Sequence, residues 1–83
     1  MVVKYIEGTS VFTAEEKAGL EKDCKILLDM QAEFNKLYQN KDYDKAFAFW
    51  GDIIDDTAKV GKKFNATITY CEDGYYIAHK MGA

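Results

Sequence analysis

The sequence predicts an α+β fold of order βααββ, in which a helical hairpin packs on one face of a small antiparallel or mixed three-stranded sheet. Three observations predict it. Two long stretches repeat their apolar residues every three or four positions, only two or three residues separate these stretches, and the apolar period then changes to two. Elements that each bury one face need a common core between them. With 83 residues, the chain is expected to form a single domain over residues 1–83.

The first strand is predicted over residues 2–7, where β-branched and aromatic residues precede a turn-forming Gly-Thr-Ser run. The first helix is predicted over residues 14–39. It begins at a capping box, because Thr13 can accept a hydrogen bond from the amide of Glu16 while the Glu16 carboxylate reaches back to the amide of Thr13. A mainly apolar stripe follows at helical spacing: Leu20, Cys24, Leu27, Gln31, Phe34 and Tyr38.

The second helix is predicted over residues 43–60, with Asp42 as its N-cap and Gly61 as the residue that ends it. The stripe on this helix comprises Tyr43, Ala46, Phe47, Trp50, Ile53, Ile54, Thr57 and Ala58. Trp50 lies within this stripe, so it is expected to anchor the core. The short connection predicts that the two helices run antiparallel.

Two further strands are predicted over residues 64–71 and 75–81, joined by a two-residue type I′ turn at Asp73 and Gly74. This turn would place Tyr70 opposite Ile77. It would also direct one set of side chains at the core, namely Phe64, Ile68, Tyr70, Tyr75, Ile77 and Met81, with His79 opposite Ile68 on the same side. Tyr76 would then lie on the outer face of the sheet, near Lys80.

The helices are longer than the sheet. A helix over residues 14–39 spans about 39 Å, whereas a seven-residue strand spans about 23 Å. Either the long helix bends or breaks, or the end of the hairpin overhangs the sheet. The overhang would expose Phe34, Leu37, Tyr38, Tyr43 and Phe47. Such a surface is typical of a binding site or a homodimer interface.

Charge and composition limit the function. The net charge is −3, and all eleven basic residues are lysines. The absence of arginine argues against sequence-specific binding of nucleic acids. Cys24 and Cys71 are expected to be free thiols in a reducing compartment. The N-terminus does not have the pattern of a signal peptide, and no apolar run is long enough to cross a membrane, so a cytoplasmic location is predicted.

Motifs for catalysis are not evident in the chain. Nucleophile–base pairs, glycine-rich phosphate loops and metal-ligand spacings are not found, so neither catalytic residues nor a cofactor or metal is predicted. A metal-assisted enzyme remains an alternative hypothesis. It would use the carboxylates of Asp52, Asp55 and Asp56 together with His79.

The favoured hypothesis is a small intracellular protein-interaction domain, an inhibitor or adaptor with a basic protein partner. The candidate partner-binding residues are Asp52, Asp55 and Asp56 on an acidic helical face, and Tyr76 and Lys80 on the sheet. In size and acidity the chain is similar to phage-encoded antagonists of host defence such as anti-CRISPR proteins. The alternative is a small-molecule or peptide sensor with a pocket between the helices and the sheet.

Overall fold

The computed structural model describes residues 2–8 and 10–81 of the chain. Its elements are the strand β1 (Val3–Ile6), the helices α1 (Ala14–Gln39) and α2 (Tyr43–Phe64), and the strands β2 (Ala66–Cys71) and β3 (Tyr75–Lys80). The predicted βααββ order and fold class are confirmed. The sheet is mixed, in the order β1-β3-β2, because β1 pairs parallel with β3 and β2 pairs antiparallel with it.

The start of α1 is as predicted. The Thr13 hydroxyl accepts a hydrogen bond from the Glu16 amide at 3.0 Å, and the Thr13 amide donates to the Glu16 carboxylate at 2.9 Å. α1 then continues without a break to Gln39. Asp42 is the N-cap residue of α2, but its side chain makes no capping hydrogen bond.

The end of α2 differs from the prediction. The helix passes through Gly61 and ends after Phe64, where Asn65 takes the left-handed conformation at φ 50°. Phe64 is therefore a buried helical residue and does not start a strand. Gly61 has a different role, since a Cβ atom there would lie 2.7 Å from the carbonyl oxygen of Ala66. Its missing side chain allows β2 to pack closely against α2.

The register of the hairpin also differs from the prediction. The loop has three residues, Glu72 to Gly74, with Gly74 at φ 95° and its amide donating to the carbonyl of Cys71 at 3.0 Å. A type I turn followed by a left-handed glycine fits this loop, whereas the predicted type I′ turn needs two residues. The extra residue makes Tyr70 pair with Tyr76.

This one-residue shift exchanges the two faces of β3, because side chains alternate along a strand. Tyr76 and Ala78 are fully buried, so the prediction that Tyr76 lies on the outer face is wrong. Tyr75 and Ile77, predicted to face the core, alternate with them on the other face and are half-buried. His79 and Met81 are exposed, again contrary to the prediction.

The core lies between the sheet and the helices. Its largest fully buried side chains are Val3, Leu20, Cys24, Leu27, Ile53 and Tyr76. In the part of the chain that the structure describes, neither helix is long and apolar enough to cross a membrane.

Candidate functional site

The predicted overhang is present at the end of the hairpin where α1 connects to α2. Along α1 the stripe is buried from Leu20 to Gln31, and then Tyr38 is exposed although it lies on the same face. Tyr38 continues the buried stripe of α1, but the sheet does not extend far enough along the helix to cover it. The molecule is accordingly elongated, with dimensions of 44 × 21 × 17 Å.

Five aromatic side chains from the two helices form a continuous row at this end. Ring centroids lie 5.1 Å apart for Trp50 and Phe34, 6.0 Å for Phe34 and Tyr38, 5.2 Å for Tyr38 and Tyr43, and 6.4 Å for Tyr43 and Phe47. These separations suit tilted, edge-on and offset stacked ring pairs. The rings therefore support one another, and we call this row, with the neighbouring Ile54, the aromatic surface.

The aromatic surface is accessible to solvent. Tyr38, Tyr43, Phe47, Trp50 and Ile54 are 49%, 44%, 61%, 41% and 52% exposed. Since a large aromatic side chain covers about 150–250 Å², five half-exposed side chains present on the order of 500 Å². That area is near the upper end for the largest apolar patch of an ordinary monomer, about 300–600 Å². Patches of this size often have a function.

The exposure of Trp50 contradicts a prediction. It was expected to anchor the core because it lies in the apolar stripe of α2, yet 41% of it is exposed. The stripe of a helix shows which side is apolar, but it does not show how far along the helix the sheet reaches. Only the mismatch between helix and strand lengths indicated exposure, and it indicated Phe34, Leu37, Tyr38, Tyr43 and Phe47, of which Phe34 and Leu37 are half-buried. It did not indicate Trp50 or Ile54.

Carboxylates border the aromatic surface along α2. Asp44 precedes Phe47 by three positions, and Asp55 follows Phe47 in the same row of the helix at i+8, with only Gly51 between them. Because Gly51 has no side chain and nothing lies within 4 Å of the position of its Cβ atom, open space separates Phe47 from Asp55. Asp44 and Asp55 are both exposed.

The turn between β2 and β3 adds two more carboxylates, those of Glu72 and Asp73. β2 begins beside Gly61 near the end of α2 and runs back along that helix. Tyr76 pairs with Tyr70, which is the pair before the last one in the hairpin. Its hydroxyl lies beside the helical residues Gln31 and Thr57. The turn therefore lies at the end of the sheet that adjoins the aromatic surface. We call Asp44, Asp55, Glu72 and Asp73 the acidic rim.

Only part of the predicted acidic face of α2 is exposed and outside ion pairs. Asp52 and Asp55 are exposed, while Asp56 is half-buried and lies 3.9 Å from the ammonium group of Lys59. His79 lies on β3 and pairs with Thr67, on the face of the sheet opposite the helices, so the structure does not bring it to these aspartates. Among residues 2–8 and 10–81, no three His, Cys, Asp or Glu side chains are placed to hold a metal ion.

Lys80 makes an intramolecular ion pair. Its ammonium group donates to the Glu16 carboxylate at 3.0 Å and lies 5.0 Å from the centre of the Phe12 ring, and 13% of its side chain is exposed. The backbone hydrogen bond from Thr13, followed by the hydrogen bond from Lys80, lowers the pKa of Glu16. Lys80 therefore links the last strand to the start of α1, away from the aromatic surface.

Tyr76 is the second predicted binding residue whose position is different from the one expected. It is fully buried, and among the buried side-chain nitrogen and oxygen atoms in the described part of the chain, its hydroxyl is the one without a hydrogen-bond partner. Burial raises the pKa of this hydroxyl, and the nearby Gln31 and Thr57 side chains partly offset the effect. A buried side chain cannot contact a partner protein, so Tyr76 no longer belongs to a binding surface.

A separate groove of about 260 Å³ lies between the two helices, lined by Asp23, Ile26, Leu27, Asp56, Lys59, Val60 and Lys63. Its apolar residues are Ile26, Leu27 and Val60. The lysines are paired, because Lys63 lies 3.1 Å from Asp23 and Lys59 lies 3.9 Å from Asp56. The predicted pocket was to lie between the helices and the sheet, whereas this groove is lined by helical residues alone.

In comparisons with known proteins, no family model, curated protein or solved structure matches this chain.

Proposed function

We propose that this protein is a small protein-interaction domain, an inhibitor or adaptor, that binds its partner through the aromatic surface. The observation that carries the proposal is the exposed row of rings from Trp50 to Phe47. Tryptophan and tyrosine are enriched among the residues that contribute most to protein–protein binding. An apolar patch of roughly 500 Å² fits the centre of an interface that buries about 800 Å² on each partner.

The acidic rim supports a basic partner. Charges at the edge of an interface contribute to the association rate and to the choice of partner more than to affinity. Asp55 was already a candidate on the acidic helical face, and it lies in the same helical row as Phe47. The small phage-encoded inhibitors that this chain is similar to in size and acidity are one form that such a function would take.

The test is affinity capture with matched variants. Phe47 and Val11 are similarly exposed, at 61% and 65%, but Val11 lies in the loop before α1. We expect Phe47→Ala to reduce recovery of the partner at least about tenfold, since truncating a central contact residue costs that much or more. Val11→Ala should leave recovery unchanged. Equal recovery by wild type, Phe47→Ala and Val11→Ala would contradict the proposal.

The groove between the helices favours a second candidate, a sensor for a small apolar molecule. Its apolar floor of Ile26, Leu27 and Val60 is flanked by charges that are already paired. A ligand bound there would raise the melting temperature. Filling the groove with Ile26→Trp should abolish that rise, and a compound screen without any rise for wild type would count against the sensor.

A further inference from the structure

The backbone of the aromatic surface limits what can bind there. Its side chains come from α1 and α2, in which the amides and carbonyls are hydrogen-bonded along the helices, apart from the amides in the first turn of α2. The surface thus has no row of free backbone groups, unlike the edge of a sheet, that could pair with an extended peptide. A segment that covers the surface must therefore satisfy its own backbone, and an α-helix does so.

The dimensions of the surface suit such a helix. From Tyr43 to Ile54 the exposed side chains of α2 recur at i, i+4, i+7 and i+11, which covers about 17 Å along the helix. A partner helix of about 12–14 residues has three to four turns and would match this length. Two antiparallel helices with an exposed apolar side are also the usual setting for a third packed helix.

The charges around the surface determine which charge the partner should carry. Asp44 and Asp55 lie along α2, and Glu72 and Asp73 lie at the end of the sheet. The exposed lysines at this end of the hairpin are Lys36, Lys41 and Lys45, and none of them is in the helical row that joins Phe47 to Asp55. A second copy of this chain would bring an equally acidic rim against this one. A helix with lysine or arginine beside its apolar face would instead place opposite charges together.

From these observations we propose that the occupant of the aromatic surface is a basic amphipathic α-helix of a partner protein. This inference rests on the proposed function and adds the conformation and charge of the partner. The apolar face of the helix packs on Phe34, Tyr43, Phe47 and Trp50, and its basic flanks face the acidic rim.

The test uses peptides of defined design. One peptide of about 14 residues has leucines at i, i+3, i+4 and i+7 spacing and lysines elsewhere. A second has the same composition in an order that removes the apolar face, and a third has glutamates in place of the lysines. Trp50, the single tryptophan of the chain, lies in the surface, so its fluorescence reports binding directly.

We expect the amphipathic lysine peptide to give a saturable blue shift of the Trp50 emission. The other two peptides should bind at least about tenfold more weakly. Phe47→Ala should weaken binding by a similar factor, and so should Asp44→Lys. The matched control is Asp29→Lys, because Asp29 is exposed on the side of α1 opposite the buried Leu27 and Gln31. Circular dichroism shows that each variant is folded.

Three results would overturn the inference. The first is equal binding of the two lysine peptides, which would show attraction by charge alone. The second is a dimer in light scattering that Phe47→Ala dissociates, because a second copy would then cover the surface. The third is the absence of any shift although affinity capture still depends on Phe47. In that case the proposed function stands and only the helical, basic partner is wrong.

Discussion

At the scale of single residues, Tyr76 has the most unusual environment. Its ring is fully buried beside that of Tyr70 at 5.5 Å, while its hydroxyl is buried without a hydrogen-bond partner. Leaving a buried polar group unpaired costs about 1–3 kcal/mol. Burial of the ring therefore stabilises the folded state, and the unpaired hydroxyl reduces this stabilisation.

We predict that Tyr76→Phe maintains or raises the free energy of unfolding, by up to about 1 kcal/mol, because it removes the unpaired hydroxyl and keeps the ring. Urea denaturation measures this change, with Tyr70→Phe on the neighbouring strand as the control. A loss of more than about 1 kcal/mol would show that the hydroxyl makes a stabilising hydrogen bond in the folded protein.

The two cysteines should differ in reactivity. Cys24 is fully buried, and burial, together with the nearby carboxylates of Asp23 and Glu21, raises the pKa of its thiol to about 12. Cys71 is a free thiol at intermediate burial near the end of β2. Because the thiolate is the reactive form, Cys24 should be inert while the protein is folded.

We expect a thiol reagent such as Ellman's reagent to label Cys71 in the native protein and both cysteines after addition of denaturant. Cys71→Ser should then remove the labelling that occurs under native conditions. Rapid native labelling of the Cys71→Ser variant would mean that the core around Cys24 opens without global unfolding.

At the scale of elements, two glycines of α2 have opposite roles. Gly61 lies where β2 approaches the helix, and a Cβ atom there would be 2.7 Å from a backbone oxygen that cannot move independently. Gly51 lies in the helix interior with open space at the same position. Helix propensity favours alanine at both sites, so packing alone distinguishes them.

We predict that Gly61→Ala lowers the free energy of unfolding by about 1–3 kcal/mol, because α2 and β2 must separate. Gly51→Ala should raise it by about 0.5–1 kcal/mol, because alanine is the better helix former. Thermal or urea unfolding of the two variants provides the comparison. If both variants were stabilised, the close contact between Gly61 and Ala66 would be contradicted.

The hairpin of β2 and β3 shows how much one residue in a turn can change. The alternation of residues 64–71 predicted a strand, and Asp73-Gly74 predicted a turn. A strand is found over Ala66–Cys71, and the turn is found at the predicted place. The number of loop residues was wrong by one, since Asp-Gly occurs both in two-residue loops and in three-residue loops that end with a left-handed glycine. That difference moved Tyr76 into the core and His79 to the surface.

At the scale of the whole molecule, the helices are longer than the sheet, and this difference produces the candidate site. α1 has 26 residues, whereas β2 and β3 have six each. The same apolar stripe is therefore core at one end and accessible surface at the other. The exposed aromatic surface of the hairpin is the direct result, and both proposals depend on it.

Part of the candidate site could be predicted from the sequence. The length mismatch indicated exposure of Tyr38, Tyr43 and Phe47, and this is confirmed. Trp50 and the acidic turn at Glu72 and Asp73 could not be found in this way. Their positions depend on where the sheet ends along α2, which follows from the start of β2 beside Gly61 and from the six-residue length of that strand.

The sequence by itself determined the order and type of the five elements, because periodicity and caps act over a few neighbouring residues. It also indicated that an unbroken hairpin would extend past the sheet, since residue counts set lengths, and the structure shows that α1 is unbroken. Only the tertiary structure decided that β1 pairs with β3, which face of β3 is buried and where the aromatic surface begins. These features depend on contacts between residues far apart in the chain, and local patterns do not encode their geometry.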